Sequence, residues 1–303
     1  MFVFPAIYAE GIASANTPAI KLLNPLVLLL FGLVYGLAAL LLRDLWVRRQ
    51  INWWQAILLG AVYAAFNEGI VADTWFKAKP LALTAATAAR MHGVNWHLVV
   101  NLIIFHSVFS MLIPIVLSFV IFPSWRDQPL LKTWGTGVSL LSLFIIAASD
   151  SFLTRHGELL PDHTQRTTLL MIMGVVALVA VAFPTKQLEL KQSLQWNQTQ
   201  AYVAGLVFAL LFTLSYFGTT RFTPTLSILL SLVFVAYAYK QLHRLAGANN
   251  LDSKKILLMI AWATTPSALL SLTRIGTGQP VLVVLFGLGL WWLHKRLVTR
   301  ATV

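Results

Sequence analysis

Long apolar runs, interrupted by short polar or basic segments, dominate the chain. They fall at 25–42, 54–76, 96–122, 134–153, 167–183, 200–218, 224–240, 255–272 and 278–294. At about 1.5 Å of rise per residue, runs of this length can cross the roughly 30 Å of hydrocarbon in a bilayer. Many of them end at a proline or tryptophan, among them Pro25, Trp53, Trp96, Pro123, Trp134, Pro184 and Trp291. Tryptophan is enriched at the headgroup level, so these positions agree with the hydrophobic pattern. The pattern predicts an all-α fold, a polytopic transmembrane helical bundle of about nine spans. A single membrane domain over 1–303 is expected, with its polar site within 10–110.

Composition supports this reading. Hydrophobic residues make up 58% of the 303 positions and charged residues only 11%, against about 25% charged in a soluble domain. The lipid bilayer is therefore the expected partner. The net charge of +12 does not point to nucleic acid, because no basic stretch interleaves with aromatic residues. Lys and Arg sit instead between the apolar runs, where they set topology. With the N-terminus outside, 14 of them fall in inner loops and the tail, and 8 in outer loops. That bias predicts N-out and C-in. The chain has no cysteine, which excludes disulfides, thiol catalysis and cysteine metal sites. The outer loop 77–95 is rich in Ala and Thr and is expected to form a short interfacial helix.

Against this background Glu68 stands out. It lies within the otherwise apolar run 54–76. A carboxylate at such depth costs about 2.5–3.5 kcal/mol on insertion scales, so it is expected to be paired or functional. Gly60, Ala61, Ala64, Ala65 and Ala72 share its helical face. Small residues mark close helix contacts in membranes, so this face is expected to point into the bundle. The next run carries His97, Asn101 and His106. His97 and Asn101 are four apart on one face, and Asn101 lies at a depth similar to that of Glu68. Glu68, His97 and Asn101 are therefore the expected site, as a general-base pair or, with Glu68 and His97, two-thirds of a metal site. The sequence names neither a metal nor a cofactor.

His106 and Glu10 are weaker members. On an ideal helix His106 stands about 140° from Asn101 and about 180° from His97. It shares its face with Ser110 and could meet the first span near Tyr35. Glu10 precedes the first span. It would approach Glu68 only if its segment tucks back into the outer leaflet; otherwise it belongs to a solvated tail. The fragment Glu10-Gly11-Ile12 recurs as Glu68-Gly69-Ile70. Three residues are too few to establish an internal duplication. No phosphate-binding loop, nucleophile elbow or zinc-protease motif is present.

The first third resembles an uncharacterised group of bacterial polytopic membrane proteins. The shared features are Asn24-Pro25 at the start of a helix, Tyr35-Gly36 within it, Arg43-Asp44 at its end, then Tyr63 and Glu68-Gly69. The resemblance implies a multi-pass protein of a bacterial cytoplasmic membrane. A partial resemblance is to the CPBP (Abi) intramembrane proteases. That family has a Glu-Glu pair with Arg four beyond the second Glu, a Phe-x-x-x-His and a His-x-x-x-Asn. Glu68 matches one Glu, and His97 with Asn101 matches the last motif. Asn67, Ala72 and Leu102 stand where the other Glu, the Arg and the Phe would be. His97 also precedes His106, against the family's order. The resemblance implies peptide hydrolysis within the membrane, with Glu68 activating a water and His97 or His106 supporting it. The readings carried forward are such a hydrolase, a proton- or cation-coupled transporter, and a non-catalytic membrane component. The substrate class, small molecule or peptide, stays open.

Overall fold

A computed structural model describes residues 1–14, 17–76, 90–91, 94–153, 163–182, 197–217, 253–274 and 276–300, with isolated positions between 226 and 237. Helices account for most of these residues. We label them α1 (4–13), α2 (Pro25–Arg49), α3 (53–71), α4 (Trp96–Ile121), α5 (Thr133–Leu153), α6 (His163–Ala182), α7 (Gln198–Phe217), α8 (Ser253–Leu272) and α9 (Gln279–Arg300). The isolated positions within 224–240 are helical too. The all-α membrane bundle expected from the pattern is present.

Among the described residues, α2, α4 and the Gln279–Leu297 part of α9 are long and apolar enough to cross a membrane. Thr133–Ala148, Leu170–Val179, Thr199–Leu214 and Ile256–Leu269 are shorter apolar helices. Large side chains such as Phe144, Leu178 and Leu288 lie exposed on α5, α6 and α9. In water this would be an aggregation surface; in a bilayer lipid tails solvate it.

The tightest packing lies within α1–α4. Tyr8, Leu98, Phe109, Ile115 and Leu117 are fully buried there. Helix α1 is the element that the hydrophobic pattern did not mark. At about 15 Å it is half the length of a span. Pro5 in its first turn suits a helix start. It runs antiparallel to α2 and very close to it: a Cβ on Gly36 would land on the Phe2 carbonyl, and one on Gly32 would meet the Phe2 ring at 2.5 Å. Glu10 is thus not in a solvated tail.

Side-chain caps fix where the helices begin. Asn24 accepts from the backbone of Leu26 and Val27 to open α2. Asn52 and Gln55 form a reciprocal capping box at the start of α3. Asn95 accepts from Leu98 at 3.2 Å to open α4, while its own N–H bonds to the Trp75 carbonyl at 2.9 Å. That second bond ties the end of α3 to the start of α4, which makes the two antiparallel. Asn95→Ala should cost about 0.5–2 kcal/mol through the lost cap. A denaturation midpoint in detergent unchanged from the wild type would refute this.

The outer loop differs from its expectation. Residues 77–89 lie outside the described residues. Arg90–Met91 pairs antiparallel with Val94–Asn95, so this end of the loop is a small ribbon and not an interfacial helix. The pairing of these two strands satisfies backbone groups that an isolated helical turn would leave open.

At the other end of α2 the chain buries a charge network. Arg43 is 1% exposed and Asp44 2%. Arg43 donates to Asp44 at 3.4 Å and to the Trp125 carbonyl, and its guanidinium lies 5.6 Å from the Phe119 ring centre. Asp44 also accepts from the Leu130 N–H at 2.7 Å and from Arg48 at 3.2 Å. These contacts strap the α4–α5 connection to α2.

Candidate functional site

Glu68 is 7% exposed, and the small face that carries it does point inward. A Cβ on Gly60 would approach the Ser107 Cα to 2.7 Å, so α3 and α4 are in near backbone contact. The Glu68 carboxylate has three protein partners. Its Oε1 lies 2.7 Å from His106 Nε2 and accepts from Asn67 Nδ2 at 3.0 Å. Its Oε2 accepts from the Thr74 hydroxyl. Thr74 can reach back because Asp73 takes a left-handed backbone (φ +57°) that reverses the chain after α3, a conformation Asp tolerates. His106 Nδ1 lies 2.9 Å from the Ser110 hydroxyl, which holds the ring from its other side.

A second carboxylate stands beside this pair. Tyr35 donates its hydroxyl to Glu10 Oε1 at 2.5 Å, and Thr17 donates to Oε2 at 3.0 Å. The Tyr35 ring centre is 6.0 Å from that of His106 and 5.9 Å from that of Tyr63. Tyr63 also meets His106 edge-on at 5.6 Å. Glu10 is within electrostatic reach of both His106 and Glu68. The Tyr63 hydroxyl is buried with no hydrogen-bond partner among the described residues. A buried donor left open in so polar a cluster marks a place where a small polar species fits.

The backbone at this point is unusual. Glu10, Tyr35, Glu68 and His106 each lie in a π-helical segment: Ile7–Ala13, Gly32–Gly36, Ala65–Val71 and His106–Leu112. Together these hold 26 residues, whereas well under 1% of residues in globular proteins are π-helical. Such wide turns concentrate at functional sites.

The site differs from the expected one in its membership. His97 and Asn101 are not partners of Glu68. Asn101 Nδ2 lies 3.0 Å from the His97 carbonyl and 3.2 Å from its ring Nδ1. Further along α4, Phe105 stacks on Phe212 of α7 at 6.0 Å and Phe109 meets it tilted at 5.2 Å. Of the histidines on α4, it is His106 that bonds Glu68. Side-chain direction explains the rest. Side chains lean toward the N-terminus of their own helix. In the antiparallel pair α3/α4, Glu68 and His106 therefore lean toward each other. Among the described residues no group of three or more His, Asp or Glu is placed to hold a metal.

A sequence profile described as an uncharacterized membrane protein family matches residues 1–263. The chain belongs to that family. No curated protein and no solved structure matches it. The family match spans α1 to α7 and most of α8, and so includes every residue of the cluster. Membership establishes a membrane protein and leaves the chemistry to the site itself. Asn67, Thr74 and Thr17 were not anticipated from the sequence. The one signal available was a threonine following each Glu-Gly-Ile by a few residues.

Proposed function

We propose that this protein is a proton-coupled transporter of a bacterial cytoplasmic membrane, with the Glu10–Tyr35 and Glu68–His106 cluster as its proton-binding site. The observation that carries the reading is the direct 2.7 Å contact of Glu68 with His106 beside a second, half-buried carboxylate. Two carboxyl groups and one imidazole balance to neutrality when they hold two protons, one on Glu10 and one shared by Glu68 and His106. Buried Glu and His chains of this kind mark proton relays in membrane pumps and transporters. The Tyr35 hydroxyl bonded to Glu10 stands between the two pairs, its ring against that of His106.

The CPBP-like hydrolase reading is less well supported. A carboxylate that activates water needs a lone pair aimed at that water. Three of the roughly four acceptor positions of Glu68 are taken by His106, Asn67 and Thr74. His97, which that resemblance recruits, is bonded to Asn101.

The proposal is tested in lipid vesicles holding the purified protein and a pH-sensitive dye. An imposed potential, negative inside, should drive proton entry above that of protein-free vesicles. Glu68→Gln keeps the size of the side chain and should abolish the difference. Equal proton entry in wild-type and protein-free vesicles would overturn the proposal, as would full entry in Glu68→Gln.

A further inference from the structure

We infer that α1–α2 and α3–α4 are two copies of one helical-hairpin unit, and that the proton site is built from two equivalent half-sites, Glu10–Tyr35 and Glu68–His106. The inference takes the bound species, a proton, from the function proposed above. The duplication itself stands on separate observations.

The first is the surroundings of the two glutamates. Glu10-Gly11-Ile12 and Glu68-Gly69-Ile70 are 58 positions apart. Their π-helical segments, Ile7–Ala13 and Ala65–Val71, are offset by the same 58 at both ends. Each closes with the same i→i−5 bond, Ser14 N–H to the Ala9 carbonyl at 2.8 Å and Ala72 N–H to the Asn67 carbonyl at 2.7 Å. Each glutamate then accepts on Oε2 from a threonine in the turn that follows, Thr17 or Thr74.

The second observation is on the partner helices. Asn24 caps α2 and Asn95 caps α4. Tyr35 and His106 each follow their capping Asn by 11 residues, and each lies in a π-helical segment. The third is the crossing point within each hairpin. Gly36 closes on Phe2, and Ser107 closes on Gly60. Gly36 and Ser107 both stand 12 residues past the cap, and Phe2 and Gly60 both stand eight before their glutamate. Three independent registers therefore agree. The second unit differs by 13 extra residues between its glutamate and its capping Asn.

Because α1 and α3 run in the same direction, the two units are related by a pseudo-twofold axis along the helices, the arrangement of parallel repeats in transporters. Equivalent residues that touch must flank that axis. Tyr35 and His106 are equivalent, and their rings are 6.0 Å apart. The axis passes between them, through the middle of the site.

The halves are not identical. Where the second unit has Asn67, His106 and Ser110, the first has Ala9, Tyr35 and Ala39. One glutamate is held by an imidazole and the other by hydroxyls. Each half-site carries its own exchangeable proton, so the stoichiometry is two per chain. The step balances simply: a proton leaves one carboxyl for a neighbouring acceptor, and no covalent bond besides the transferred O–H or N–H changes.

Infrared difference spectra across a pH titration test this. The wild type should show two carboxyl transitions, one lost in Glu10→Gln and the other in Glu68→Gln. A spectrum unchanged by Glu10→Gln would overturn the two-half-site reading, and no pH-linked carboxyl change in the wild type would overturn its proton. The duplication is read separately by grafting the second half-site onto the first, Tyr35→His with Ala39→Ser. Equivalence predicts that the graft unfolds at a higher temperature than Tyr35→Phe, because an imidazole at that register reaches both Glu10 and the new hydroxyl. A graft that unfolds below Tyr35→Phe would overturn the equivalence whatever the proton measurements give.

Discussion

Asp44→Ala is expected to lower the unfolding free energy by about 3–5 kcal/mol, the cost of stranding one member of a buried ion pair. Arg43 is buried to 1% exposure and keeps its charge at any accessible pH. Without Asp44 its compensation falls to the Trp125 carbonyl and the Phe119 ring. The Leu130 N–H, 2.7 Å from Asp44, loses its acceptor as well. The loop strapped to α2 should loosen, so proteolysis between 122 and 131 is expected to accelerate along with the loss of stability. Chemical unfolding in detergent measures the first effect. A loss below about 1 kcal/mol, the range of exposed pairs, would show that solvent reaches this network.

Glu68→Ala is expected to cost less, about 1–3 kcal/mol. The difference lies in the partner. His106 keeps its contact with Ser110 at 2.9 Å, and an imidazole is not obliged to carry charge, whereas a guanidinium is. What remains is the loss of three good acceptor contacts, with the Asn67 amide and His106 Nε2 falling back on each other at 3.3 Å and the Thr74 hydroxyl on the residue 68 carbonyl at 3.4 Å. Glu68→Gln should restore most of the stability while leaving proton entry abolished. Thermal unfolding of both variants separates the two effects. A Glu68→Ala protein as stable as the wild type would show that the carboxylate contributes nothing to packing α3 on α4.

The bundle was legible in the sequence because lipid imposes a simple code. Apolar runs of spanning length with Trp and Pro at their ends leave few other folds open. The inward face of Glu68 was legible too, since Gly60 and its alanines leave room for a close neighbour. The identity of that neighbour was not. Angular reasoning on ideal helices weighed the two faces of α4 correctly but could not say which one turned to α3. Contacts such as those of Phe105 and Phe109 with Phe212, between residues about 100 positions apart, bear on the orientation of α4 and leave no local trace in the sequence. Helix α1 was missed because ten residues are too short to register as a span. Its place is set by two glycines on α2 and not by its own hydrophobicity. The recurrence of Glu-Gly-Ile became informative only when the backbone around each copy proved the same.

A wide π-turn fits one more residue into a helix than an α-turn of the same kind. An extra residue shifts the angular phase of everything beyond it by about 100°. In α4, which resumes as an α-helix over Ile113–Ile121, the stretches on either side of the polar centre are therefore out of step with each other. That helix addresses one set of neighbours above that level and another below it, and the acid–imidazole contact sits at the splice.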